Sequence, residues 1–170
     1  MVNLSLDLYQ MENGSYVFKP ATVNLTELVL SVVQDLSVHA QSKAVTIQLS
    51  GHAPPVYVLG NDSLCYSILA NLTKNAIEAA PEHTAVDIAL RNGPQVVLQI
   101  HNAGEVPAAI KSRFFAKYGS NGKAGGTGLG AYSAQLLARV QGGTLSMQST
   151  PDAGTTLTLT LARAQAPLAG

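Results

Sequence analysis

The chain is poor in charge, nearly free of cysteine, without tryptophan, and has no long apolar run. Only 12% of its 170 residues are Asp, Glu, Lys or Arg, about half the usual share. Ten basic residues balance ten acidic ones, and no basic stripe marks a nucleic-acid partner. The apolar runs are a handful of residues each, far short of the roughly 20 that cross a bilayer. Met1 leads directly into "VNLSLDLYQ", which does not read as a signal peptide. The expectation is therefore a cytoplasmic domain with no membrane contact of its own. A single cysteine, Cys65, leaves no intrachain disulfide and fits a reducing compartment. His39, His52, His83 and His101 have none of the close spacings of a zinc site. What is present is a 46% hydrophobic composition, enough for one packed core.

The pattern of apolar residues orders that core. Residues 1–11 read as the end of a helix, broken by the turn dipeptide Asn13-Gly14. "YVFKPATVNL" reads as an extended entry closed by Pro20. From Asn24 to about residue 43, Leu25, Leu28, Val29, Val32, Val33 and Leu36 recur at helical spacing, with Asn24 as N-cap. "AVTIQLS" and "VYVLG" read as strands, and Asn61-Asp62 opens a second helix that stops at Pro81. "TAVDIALRNGPQVVLQIHN" reads as a hairpin turning at Asn92-Gly93-Pro94. A short helix and a mobile loop are expected between 103 and 126. A helix over 129–140, two closing strands and a disordered tail over 164–170 complete the chain. This order predicts a two-layer α/β sandwich, one mixed sheet with helices on one face.

The densest signal is "KAGGTGLGAY" at 123–132. A P-loop needs Ser or Thr after Gly-Lys, and Gly122-Lys123 is followed by Ala124. Gly126-x-Gly128-x-x-Ala131 fits the dinucleotide pattern, but that motif requires a strand leading into it, and "FFAKYGSNGKAG" is no buried strand. A ligand-free glycine hinge and an anion site both fit the glycines alone. Lys123 and the helix that follows favour the anion, because a helix start offers free N–H groups and positive dipole charge.

The second signal is "NLTKNAIEAAP" at 71–81. Asn71, Lys74, Asn75 and Glu78 share one side of a helix, and Asn75 falls at the edge of the core-facing arc. A buried amide without a partner costs about 1–3 kcal/mol. Either a sheet carbonyl satisfies it, or its oxygen serves a hard cation such as Mg²⁺ with phosphates.

Together and in this order, the motifs resemble the catalytic and ATP-binding domain of bacterial sensor histidine kinases, in the GHKL ATPase superfamily. "NLTKNAIEA" resembles the N box, "HNAGEVP" the G1 box, "FFAKYGSNGK" the F box and lid, and "GGTGLGAY" the G2 box. The match covers roughly residues 20–162. It implies a Bergerat fold with a mixed, mostly antiparallel sheet, a kinase domain over 20–163, and the end of a dimerisation helix hairpin with its linker over 1–19. It implies ATP and Mg²⁺ as cofactors, with Asn75 on the metal and Asn71 facing the same phosphates. Gly126, Thr127, Gly128, Leu129 and Gly130 would make the phosphate turn, and Lys123 would reach the phosphates from the lid. Phe114 or Phe115 would anchor the lid. Asn102, Gly104 and Thr155 would stand near the adenine, and Lys74 would face either nucleotide or solvent.

Two departures follow. The G1 aspartate that accepts from the adenine amine is replaced by Asn102, an acceptor without charge. None of the four histidines has an acidic-Pro helical context, so the phosphoacceptor is expected upstream of Met1. Hydrolysing relatives carry a glutamate four residues before the metal ligand. Asn71 stands there and cannot take a proton, which favours transfer to histidine over hydrolysis. The expected partners are the histidine-bearing dimerisation domain and a response regulator. The alternatives are a degenerate interaction module without nucleotide, and a serine kinase of the anti-sigma type.

Overall fold

The computed structural model describes residues 4–50, 54–117 and 130–168. Its elements are α1 (Leu4–Asn13), β1 (Ala21–Asn24), α2 (Leu25–Ser42), β2 (Thr46–Ser50), β3 (Tyr57–Gly60) and α3 (Asp62–Ala79). They continue as β4 (Ala85–Asn92), β5 (Gln95–Asn102), α4 (Ala108–Lys111), α5 (Gly130–Val140), β6 (Thr144–Thr150) and β7 (Gly154–Ala162).

The long helices begin where side chains replace missing backbone partners. Asn24 accepts from the Glu27 amide at 3.1 Å, and Asn61 accepts from the Leu64 amide at 3.0 Å. Each satisfies an N–H that the first helical turn leaves free. α3 ends at Ala79 because Pro81 excludes its predecessor, Ala80, from helical backbone. Pro20, read from sequence as closing an extended entry, instead stands just before β1. With no N–H it cannot join the ladder, which starts at Ala21. In the β4–β5 hairpin Asn92 is still part of β4 and pairs with Val96, so the three residues between the paired positions are Gly93, Pro94 and Gln95, one place on from the Asn92-Gly93-Pro94 expected.

The main sheet has the order β2-β4-β5-β7-β6. β2 and β4 are parallel and every other neighbour is antiparallel, as a mixed, mostly antiparallel sheet requires. Alternation sends Val96, Leu98 and Ile100 of β5 and Leu157, Leu159 and Leu161 of β7 into the core. They meet Leu64, Ile68, Leu72, Ala76 and Ile77 of α3 and Ala134 and Leu137 of α5. Thr156, Thr158 and Thr160 take the opposite, partly exposed face. The small β1–β3 sheet joins the end of β7 through a Val58–Arg163 bridge. Ala164 is buried and its N–H donates to the Tyr57 carbonyl at 2.9 Å. Ordered packing thus takes in the first residue of the segment read as a tail. Among the described residues no helix is long and apolar enough to cross a membrane.

Candidate functional site

α3 and α5 run antiparallel and are held together at both ends by different means. At one end Gln141, just past α5, is 3% exposed. Its Oε1 accepts from the Asn61 amide at 2.8 Å and from the Cys65 thiol at 3.3 Å, and its Nε2 donates to the Leu137 carbonyl. Burial pushes the Cys65 thiol up to about 11, so it stays a protonated donor and not a nucleophile. At the other end the helices meet through Asn75 and Gly130. A β-carbon on Gly130 would lie 3.5 Å from Asn75 Nδ2 and 3.8 Å from Oδ1. The start of α5 therefore approaches the Asn75 amide with space for little between them.

Asn71 lies one turn before Asn75, and both are half-buried on the same side of α3. Lys74 is exposed. Glu78, one turn later, lies 3.8 Å from His39 of α2.

The strand ends form the second wall. Asn102 ends β5 and is 3% exposed, with Nδ2 donating to the Ala103 carbonyl at 2.7 Å. An aspartate there could not make that bond. The amide thus turns its donor inward, which leaves its oxygen as the acceptor for anything docking beside it. Gly104 follows with φ +102°, and a β-carbon there would come 3.3 Å from the Ala79 carbonyl. Only glycine takes that backbone so close to the end of α3 without strain.

Thr155 Oγ1 donates to the Gly104 carbonyl at 2.8 Å and lies 2.9 Å from Ser149 Oγ. Ser149 Oγ in turn accepts from the Val106 amide at 2.7 Å. Lys111 adds bonds to the Ser149 carbonyl and to Glu105, both at 2.9 Å. The loop after β5 is thereby fixed to β6 and β7. Ser149 and Lys111 were not singled out from sequence, since a serine in an alternating strand gives no sign that it faces inward. Phe114 and Phe115 pack edge to face at 5.0 Å and lean on the core. Lys123, Gly126, Thr127, Gly128 and Leu129 lie outside the described residues.

An open cavity of about 550 Å³ sits elsewhere, lined by Val45, Thr46, His83 and Ala85 among others. It contains no lysine, arginine or carboxylate to handle a phosphate–metal complex. Among the described residues no group of three or more His, Cys, Asp or Glu could hold a metal ion. Any metal here would therefore be held by few protein ligands together with phosphate oxygens, as Mg²⁺ commonly is. The Asn75 amide beside the Gly130 backbone fits that role.

A model of the histidine kinase-, DNA gyrase B- and HSP90-like ATPases matches residues 60–165. The chain belongs to that family. The sensor protein EvgS of Escherichia coli K12 is 29% identical over 168 residues, an alignment covering 92% of this chain and 14% of that protein. A sensor-like histidine kinase, SenX3 of Mycolicibacterium smegmatis, is 27% identical over 169 residues, covering 95% of this chain and 44% of that one. The chain thus spans less than half the length of these curated relatives. Among solved structures, full-length ShkA in complex with AMPPNP superposes with a TM-score of 0.82 at 20% identity, covering 98% of this chain and 36% of that one. The catalytic domain of the histidine kinase ThkA gives 0.75 at 21% identity, covering 85% of this chain and 96% of that one. The fold is that of histidine kinase catalytic domains, and the family assignment makes this an ATPase-family domain of the histidine kinase, DNA gyrase B and HSP90 type.

Proposed function

We propose that the domain binds ATP with Mg²⁺ between α3 and residues 104–130, and passes the γ-phosphoryl group to a histidine on a dimerisation domain. A response regulator would then take the group from that histidine. The observation that carries this reading is the apposition of Asn75 and Gly130. Two motifs more than fifty residues apart in sequence meet at one point, a polar amide against a helix start.

Asn75 would offer its amide oxygen to Mg²⁺. When bound, the metal neutralises charge on the phosphates that would otherwise repel a nucleophile. Asn71 faces the same side and cannot accept a proton at neutral pH, so water gains no general base from it. A histidine nucleophile carries its own lone pair, and positioning suffices. The free N–H groups at the start of α5 would donate to phosphate oxygens, joined by Lys123, Gly126, Thr127, Gly128 and Leu129. Asn102 would accept from the adenine amine, while Thr155 holds the loop carrying Gly104 in place. Residues 1–19 are read as the end of the dimerisation hairpin and its linker, and the domain as cytoplasmic.

Radiolabelled ATP tests the reaction. The chain alone should neither retain label nor release phosphate appreciably, and label should pass to a separately supplied hairpin bearing the acceptor histidine. Label on this chain alone, or rapid phosphate release, contradicts the reading. The replacement of aspartate by Asn102 favours a second reading, an interaction module that has lost nucleotide. Failure to bind nucleotide at millimolar concentration would establish it.

A further inference from the structure

The two edges of the main sheet are finished differently. At the β6 edge, outward carbonyls are already taken: Leu145 O accepts from Gln135 Nε2 at 3.2 Å, and Ser149 O from Lys111 Nζ at 2.9 Å. At the other edge, β2 pairs with β4 alone. The Thr46 amide donates to the Thr84 carbonyl at 3.1 Å, and a parallel ladder engages every second residue of a strand with its neighbour. The peptide groups of Thr46, Gln48 and Ser50 are thus spent on β4, while Ile47 and Leu49 turn theirs outward. Among the described residues no hydrogen bond reaches those outward groups. Leu49 is 44% exposed, and Thr46, Gln48 and Ser50 are exposed as well. Edge strands are ordinarily guarded by charge, proline or a bulge. "TIQLS" carries no charge and no proline, and its register with β4 is unbroken.

We infer that β2 is an interface to a second copy of this chain, the two β2 strands pairing antiparallel about a two-fold axis at Gln48. The strand is complementary to itself in that register. Ile47 stands opposite Leu49 of the second copy, Thr46 opposite Ser50, and Gln48 opposite itself. Both outward peptide groups then fall in hydrogen-bonded pairs, and Gln48 takes the non-hydrogen-bonded position between them. Its side-chain amide both donates and accepts, so two copies can satisfy each other across the axis. A slip of one residue would set outward peptide groups against spent ones, and a slip of two would leave fewer pairs. Ile47 and Leu49 lie in register with the buried Val86 and Ile88, so their pairing carries the apolar face across the axis. No charge on β2 repels its copy. The result is one sheet of ten strands, five from each copy. Each copy contributes its one open edge, so association closes at two. Strands this short bury less than the roughly 1,200 Å² of stable complexes, which makes the dimer weak, with a dissociation constant of about 0.1–1 mM. Nothing in this interface depends on nucleotide.

Sedimentation velocity on the full chain, from about 10 µM to about 2 mM, brackets that range. The wild type should pass from monomer to dimer and go no further. Leu49→Pro removes an N–H that β4 does not use, and with it half of the bonds between the copies. It should weaken the dimer about tenfold or more, at a nearly unchanged thermal midpoint. Gln48→Cys tests the register, and decides the matter should Leu49→Pro fail to fold. Residues opposed at a non-hydrogen-bonded position bring their β-carbons within about 5 Å, near the reach of a disulfide, so mild oxidation should link two copies on a non-reducing gel. Leu49→Cys faces Ile47 of the second copy and should link far less. The native Cys65 is buried and stays out of the reaction. A wild type that is monomeric at about 2 mM overturns the second copy as occupant, whatever other strand the edge takes. Leu49→Pro that dimerises as well as the wild type, or equal linking by the two cysteine variants, overturns the pairing of β2 in this register. Growth beyond two copies overturns its closure.

Discussion

The two ends of the α3–α5 pair are built on opposite plans. At the Gln141 end, the amide is buried and hydrogen-bonded through both its oxygen and its nitrogen, to Asn61, Cys65 and Leu137. At the Asn75 end, a half-buried amide faces Gly130, where an added β-carbon would meet it at ordinary contact distance. The closed end fixes how the helices sit; the open end leaves polar atoms for something that arrives later. Buried polar groups completed from within serve the fold, whereas those facing a glycine at a helix start suit an anion and its metal. The difference separates residues whose loss damages stability from residues whose loss damages only chemistry.

The largest expected effect breaks the open end. Asn75→Ala removes the proposed metal ligand and should cut phosphoryl transfer to a supplied acceptor by at least about a hundredfold, given the several kcal/mol a metal contributes. Its thermal midpoint should stay near the wild-type value, because the amide is only half-buried. Transfer that survives the substitution would remove Asn75 from the site.

The closed end should respond the other way. Gln141→Ala strips partners from the Asn61 amide and opens space beside Gly60, whose β-carbon position lies 2.7 Å from Gln141 Oε1. A loss of about 2–3 kcal/mol is expected in urea unfolding. In the fraction that stays folded, nucleotide affinity should be little changed. Unaltered stability would mean that this end is not the clamp described.

Gly130→Ala sharpens the contrast at a single atom. The added methyl meets the Asn75 amide at an ordinary distance, and alanine favours helix over glycine by up to about 1 kcal/mol. Stability should therefore hold or rise slightly, while the methyl occupies space beside the amide and lowers nucleotide affinity about tenfold, near 1.4 kcal/mol. A variant that is both stable and fully competent would show that the approach of the α5 start does not matter.

Much of this division was legible in the sequence. The spacing of Leu25, Val29 and Val32, and the caps Asn24 and Asn61, mark α2 and α3 because helix periodicity and N-cap chemistry are local. The hairpin and the strict alternation of β7 are local too. Asn75 stood out because an amide on a core-facing arc demands an explanation. The closed end was not legible. Gln141 follows a helix in "RVQGG" and looks like a surface residue until the fold returns it to Asn61, 80 positions earlier. Ser149 and Thr155 are alike in this respect. Their alternation predicts one face, and only the register of β6 against β7 shows their hydroxyls meeting under Gly104. Long-range polar pairing leaves no periodic trace, so it is the part of the site that sequence conceals.

The most direct measurement is a calorimetric titration of the wild-type chain with an ATP analogue, with and without Mg²⁺. Saturable binding that tightens when Mg²⁺ is present, and no longer responds to Mg²⁺ in Asn75→Ala, is the predicted result. No saturation at millimolar nucleotide, or binding indifferent to Mg²⁺ in the wild type, would contradict a nucleotide site at the open end of α3 and α5.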